Sequence, residues 1–327
     1  MRRILFIGNA SVYSAAHLAA VGRAYGVAVV VEAVAPRGRL KGLRRRVAPS
    51  RLKTLARELG SPFLEARYKD HATLAQVLRA ARPDLVVVAG MGWLLDAAAL
   101  AVPRLGTLNV HPTLLPAYRG AEPFFWQLFD GVAESGVTVH LVDPAEDHGP
   151  ILRQRAFPLP PGTSLSEFLS LAVATGPPLL LEAIDGLLGG TIQPVPQPEA
   201  SPTRRARRLR PADRDLIAWE KWSLERTWRV LRGIGPILGW PRARWRDLGR
   251  MAVIEGMAPG PPGLPAGRLG WDAGGTFLAH PVGKIRVRYR WAPWAWLAAM
   301  QRGDRPAGGV SAAERAAWPP YEFVLRI

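Results

Sequence analysis

Short, wholly apolar runs alternate with amphipathic helical patterns through the first 200 residues, and this alternation constrains the fold more than any other feature. The run Leu85-Val86-Val87-Val88 has no polar residue to turn toward water. As a strand it must be covered on both faces, the situation of a parallel sheet with helices on each side. Strands are predicted at Arg3–Gly8, Val27–Val34, Pro62–Glu65, Asp84–Ala89, Gly106–Val110 and Gly136–Val142. Helical periodicity falls between them at about Ala15–Tyr25, Arg51–Leu59 and Ala72–Ala81, with a closing helix near Ser164–Leu188. The pattern predicts a doubly wound, mostly parallel α/β sheet of Rossmann-like type.

A chain of 327 residues is long enough for a second unit. Pro194, Pro196, Pro198 and Pro202 mark a linker at about 194–213, running into Arg204-Arg205-Ala206-Arg207-Arg208. Beyond it lie one helix, about Leu224–Arg232, and short runs punctuated by Pro and Gly, including the alternating stretch Lys284–Arg290. The expected division is a catalytic domain over 1–200 and a β-rich, OB-like barrel over 201–327.

Several classes are excluded. Without cysteine the chain has no disulfide, thiolate metal site or cysteine nucleophile. The turn after the first strand, Gly8-Asn9-Ala10-Ser11, lacks the further glycines that admit a pyrophosphate, which argues against a nicotinamide enzyme. The opening Met1-Arg2-Arg3 resembles the start of a signal peptide, but Asn9, Ser11 and Ser14 break the apolar run too early. No uninterrupted apolar stretch reaches bilayer length, so a cytoplasmic location is expected. The net charge of +17 is uneven, about +13 over 201–327 and +4 before it. Nine basic residues and no acidic one occupy Arg37–Arg57, a density that suits a polyanionic partner.

The stretch from Gly106 to Gln154 carries chemistry. In Thr107-Leu108-Asn109-Val110-His111-Pro112, Asn109 and His111 are two apart and project to one side of an extended segment. The loop Pro112–Gly120 follows, then the strand Gly136–Val142 and the acidic loop Asp143-Pro144-Ala145-Glu146-Asp147-His148-Gly149. An amide, an imidazole and a carboxylate together can serve acyl transfer: one donates to an oxyanion, one exchanges a proton, one orients. His140, inside a strand, reads as structural. His148 reads as a pocket-lining residue and Tyr118 as a loop anchor, while Arg119 suits either substrate binding or loop support. No His, Asp and Glu grouping has metal spacing.

These three blocks resemble the formyltransferase family that uses 10-formyltetrahydrofolate. The family pattern is Asn-x-His-Pro-Ser-x-Leu-Pro-x-Tyr-Arg-Gly, then Gly-Val-Thr-x-His, then Asp-x-Gly, and only Thr113 departs from it. The resemblance implies catalysis by Asn109, His111 and Asp147, with no metal. It implies a folate donor held between Met91, Gly92, Trp93, Leu94 and Leu95 on one side and the loop Asp143–Asp147 on the other, with Asp143 and Asp147 in contact. The basic loop before Ser50 and the segment Arg210–Asp213 are similar to the branch that formylates methionyl-tRNA. That likeness implies acceptor contacts at Arg39, Lys41, Arg44, Arg45, Arg46, Arg204, Arg205, Arg207 and Arg208.

The mechanism expected is direct transfer, with Asn109 and a protonated His111 stabilising the oxyanion. Asp147 is expected to keep His111 charged and to help take the proton leaving the amine. The expected acceptor is methionyl-initiator tRNA. A nucleotide-linked amino sugar is the second acceptor considered, and a non-catalytic RNA-binding protein is the alternative of another class.

Overall fold

The computed structural model describes residues 3–34, 49–235, 237–238 and 250–291. The expected acceptor contacts Arg39, Lys41, Arg44, Arg45 and Arg46 lie outside these residues.

A seven-stranded sheet forms the first unit, in the order β3-β2-β1-β4-β5-β6-β7. Its strands are β1 (Ile4–Gly8), β2 (Val29–Val34), β3 (Phe63–Arg67), β4 (Leu85–Ala89), β5 (Thr107–His111), β6 (Glu134–Leu141) and β7 (Ile151–Pro158). The first five run parallel; β6 and β7 are antiparallel additions at one side. Every side chain of β1 and β4 is buried. Their residues divide by parity, with Ile4, Phe6, Leu85 and Val87 in one core and Leu5, Ile7, Val86 and Val88 in the other. This division is what a double winding requires.

On the first face lie α1 (Val12–Tyr25), α2 (Arg51–Glu58) and α6 (Leu165–Gly189). On the second lie α3 (His71–Ala81) and the short α4 (Ala97–Leu100). Side-chain caps at Ser11, Ser50, Asp70, Asp96 and Ser164 start these helices, and Ser164 with Glu167 forms a full capping box. Helix α6 is long and apolar enough to cross a membrane, with a mean hydropathy of 1.4. It instead buries Phe168, Leu180, Ala183 and Ile184 in the core.

Three elements were absent from the sequence expectation: β7, α4 and α5 (Pro123–Asp130). The second unit holds α7 (Leu224–Ile234) and a four-stranded antiparallel sheet, β8-β11-β10-β9. These strands are β8 (Arg250–Pro259), β9 (Leu269–Asp272), β10 (Gly275–His280) and β11 (Gly283–Trp291). The expected β-rich second unit is represented among the described residues by this antiparallel sheet, whose Leu278, Ile285 and Val287 join the first core.

Candidate active site

The site forms where the sheet changes from parallel to antiparallel, at β5 and β6. The parallel strand order reverses one strand away, between β1 and β4. Antiparallel register sets Asn109 opposite His140 and His111 opposite Thr138. Directly opposed residues share a face of the sheet. His140, read as structural, is therefore part of the site.

Three side chains converge on one carboxylate oxygen. Asp147 Oδ1 accepts from Asn109 Nδ2 at 3.1 Å and lies 3.5 Å from His111 Nδ1. His140 Nε2 is 3.7 Å away, beyond hydrogen-bond reach. Asp147 Oδ2 accepts from the Gly120 N–H at 2.9 Å. His140 Nδ1 sits 2.8 Å from the Leu141 carbonyl, so that nitrogen carries the proton. Its Nε2 then accepts from Asn109 Nδ2 at 3.1 Å. Both amide hydrogens of Asn109 are thus engaged; turned over, the amide would set its oxygen against the carboxylate.

Burial pushes the Asp147 carboxyl up, but His111, His140 and the Gly120 N–H together bring it down to about 2. It is an anion across the physiological range. Burial dominates at His111 and lowers its pKa; the Asp147 charge raises it, His140 lowers it, and the Tyr118 carbonyl, 3.2 Å from Nε2, raises it. The net direction is down, so the ring is neutral near pH 7. A neutral ring beside a carboxylate differs from the protonated His111 that the sequence leads one to expect.

Two glycines of the motif are fixed by crowding. A Cβ on Gly149 would lie 2.0 Å from the Leu141 carbonyl oxygen. One on Gly120, at φ +130°, would lie 2.6 Å from that of Ala206. Asp147 itself adopts φ +54°, the left-handed region that costs a branched side chain energy.

The stretch read as a linker is strapped across these loops. Ser201 Oγ donates to the Pro116 carbonyl at 2.8 Å, and Tyr118 N–H donates to Thr203 Oγ1 at 2.7 Å. The Ala206 N–H donates to the Arg119 carbonyl, and the Ala206 carbonyl accepts from Glu122 N–H. Arg204 and Arg207 cover the Trp126 ring, their guanidinium carbons 5.2 and 4.8 Å from its centroid. Arg204 also pairs with Asp130, and Arg207 makes a two-pronged bond to Asp213. Arg205 reaches Glu146 and Arg208 reaches the Gly92 carbonyl. Of the four described arginines among those expected at the acceptor, two clasp the strap and two touch the expected donor walls.

Those walls are partly braced from within. Asp143 accepts from Ala145 N–H and pairs with His148 Nδ1 at 2.9 Å. Trp93 packs edge-on to Tyr68, Leu95 is buried and Leu94 is exposed. The Trp93 indole N–H is buried without a partner among the described residues. Beside Arg205, Arg207, Arg208 and Arg210, with Ala121 and Glu146, opens a cleft of about 350 Å³. Glu122 follows Ala121, and burial pushes its carboxyl up to about 7 against the Arg208 charge.

An amide, two imidazoles and a carboxylate gathered on β5, β6 and the loop after β6 of an α/β sheet are a set suited to acyl transfer. Residues 2–184 match the formyl transferase family, and the chain belongs to it. It is 33% identical to the methionyl-tRNA formyltransferase of Roseiflexus sp. over 96% of both chains. Glycinamide ribonucleotide transformylase 1 from Symbiobacterium toebii is 28% identical, with a TM-score of 0.51 over 60% of this chain and 94% of that one. HypX from Aquifex aeolicus, in complex with tetrahydrofolic acid, shares the fold at 15% identity. Its TM-score is 0.55 over 92% of this chain and 48% of that one. Among the described residues no His, Asp and Glu group could hold a metal ion.

Proposed function

We propose that this enzyme moves a formyl group from 10-formyltetrahydrofolate to the amino group of methionyl-initiator tRNA, in the cytoplasm. The observation that carries the chemistry is the convergence of Asn109 and His111 on Asp147. The donor is placed between the loop Met91–Leu95, with its apolar side chains and a Trp93 indole N–H that has no partner among the described residues, and the polar loop Asp143–Asp147. A formyl donor supplies an electrophilic carbon whose oxygen gains negative charge as an amine adds. Asn109 exchanges one of its two present bonds for that oxygen and donates to it. Neutral His111 takes the proton that the amine releases, and the ionised Asp147, 3.5 Å away, stabilises the imidazolium so formed; the imidazolium then gives that proton to the donor nitrogen as its bond to the formyl carbon breaks and tetrahydrofolate leaves.

The tRNA acceptor rests on the methionyl-tRNA formyltransferase relative that aligns over 96% of both chains and on the net charge of +17. The test offers methionyl-tRNA and a nucleotide-linked amino sugar separately with labelled formyl-folate. Transfer to tRNA alone is expected. Affinity should fall steeply with salt, with a log–log slope of about −0.7 to −0.9 per phosphate contact. Replacing Arg44, Arg45 and Arg46 together should flatten that slope and leave folate binding unchanged. Transfer to the sugar, indifferent to salt and to these changes, would replace the acceptor assignment; no transfer at all would favour a binding protein.

A further inference from the structure

The strap begins before its arginines, at a buried pair that faces the catalytic loop from behind. Gln197 and Arg119 are 9% and 7% exposed. Arg119 donates to Gln197 Oε1 from Nε at 3.2 Å and from a terminal nitrogen at 2.9 Å. Two further N–H groups reach the carbonyls of Pro198 and Glu199 at 2.7 and 3.0 Å. With Oε1 held by the guanidinium, the Gln197 amide cannot turn over. Its Nε2 then presents both hydrogens to the loop, to the Asp147 carbonyl at 3.1 Å and the Gly149 carbonyl at 2.7 Å.

These two carbonyls flank the Asp-x-Gly segment whose left-handed residue is Asp147. The amide of Gln197 holds the backbone of the same residue whose carboxylate gathers Asn109, His111 and the Gly120 N–H. Arg119 joins the motif block at Gly120 to the strap, so side chains from two distant stretches fix one backbone turn. We infer that Gln197 is a positioning residue for Asp147, and that Arg119 acts through it by fixing the amide's orientation. The inference rests on the formyl-transfer reading for its catalytic consequence, though not for its geometry.

The experiment uses full-length Gln197→Glu and Gln197→Ala. Gln197→Glu keeps the length and the partnership with Arg119, yet sets a carboxylate oxygen against two carbonyls. Turnover per folded molecule is expected to fall roughly 10²-fold, the scale of a small misplacement of reacting groups, with KM for the formyl donor nearly unchanged. Hydrogen exchange at the amides of residues 147–149 should quicken in both variants. Arg119→Lys combined with Gln197→Ala should lose no more than the worse single change, since both act on one turn. Wild-type turnover and wild-type exchange in Gln197→Glu would overturn the inference, even if Gln197→Ala fails to fold. An inactive wild-type protein would instead overturn the formyl-transfer reading, and the exchange measurement would still decide the positioning role.

Discussion

His17 gives a quantitative handle on how the catalytic strand is supported. It lies fully buried on α1, its Nδ1 2.7 Å from the Tyr13 carbonyl and its Nε2 without a partner among the described residues. Behind it stands Gly176 of α6, where a Cβ would lie 2.3 Å from Nε2. Tyr13, one turn back, donates from its hydroxyl to the carbonyl of Val110, the residue between Asn109 and His111. Burial pulls the His17 pKa from 6.5 down to about 4, against the raising effect of the Tyr13 carbonyl. A base whose folded pKa is depressed favours the native state while neutral. The stability is therefore fully present above 6.5 and is lost as pH falls from 6.5 toward 4. At about 1.4 kcal/mol per tenfold change in proton activity, the loss reaches about 2 kcal/mol at pH 5 and about 3 kcal/mol at pH 4. His17→Gln can keep the donation to Tyr13 but carries no charge. Denaturant unfolding at pH 7.5 and pH 5 measures the difference, and His111 and His280, also depressed, contribute equally to both proteins. Wild type should lose about 2 kcal/mol more than His17→Gln over that interval, roughly 3 °C in Tm for a chain of 327 residues. Equal losses in the two proteins would refute a buried, neutral His17.

Asn109→Ala should reduce turnover by roughly 10²–10³ while donor binding survives, the usual cost of one oxyanion donor; near-normal kcat at saturating substrate would remove it from that role. Because His111 works in its neutral form, kcat should fall only on the acid side of the ordinary histidine range, and Asp147→Asn, which removes the leading influence that raises the His111 pKa, should move that limb to lower pH as well as slowing the reaction. Glu122→Gln is the control for a group near 7; a rate that instead declines above neutrality would mean that a charged His111 is needed. Gly120→Ala should displace the strap at Ala206 and weaken the bond from Gly120 N–H to Asp147, lowering stability by about 1–3 kcal/mol with a larger effect on turnover than on donor KM; a crystal structure with the strap unmoved and turnover intact would contradict the crowding argument.

The parallel strands were legible because Leu85–Val88 admits no exposed face, and Asn109 with His111 because an alternate pair on a strand end is readable from spacing alone. The role of His140 depends on which strand lies beside β5 and in what register, information carried by long-range pairing rather than by the residues flanking His140. Its available signal was the repeated residue-x-His pattern on two successive strands. Helix α5 escaped because Pro-Phe-Phe-Trp-Gln-Leu-Phe-Asp is apolar nearly all round and has no period to detect. The strap looked like a linker because proline-rich composition describes backbone stiffness and says nothing about distant partners. Arg204 and Arg207 were legible as positive charge, whereas their stacking on Trp126 appears only once 81 residues or so of intervening chain are folded.

The strap also sets an order in time. A ribosome delivers the chain from its amino end, so all seven strands of the catalytic sheet and α6 have emerged by Gly189. Asn109, His111 and Asp147 all precede that point in the chain. The groups that pin the Asp147 turn and cross to Gly92 arrive later, between Gln197 and Arg208. Synthesis from the amino end thus supplies every catalytic side chain before the segment whose contacts hold their loop in the finished fold.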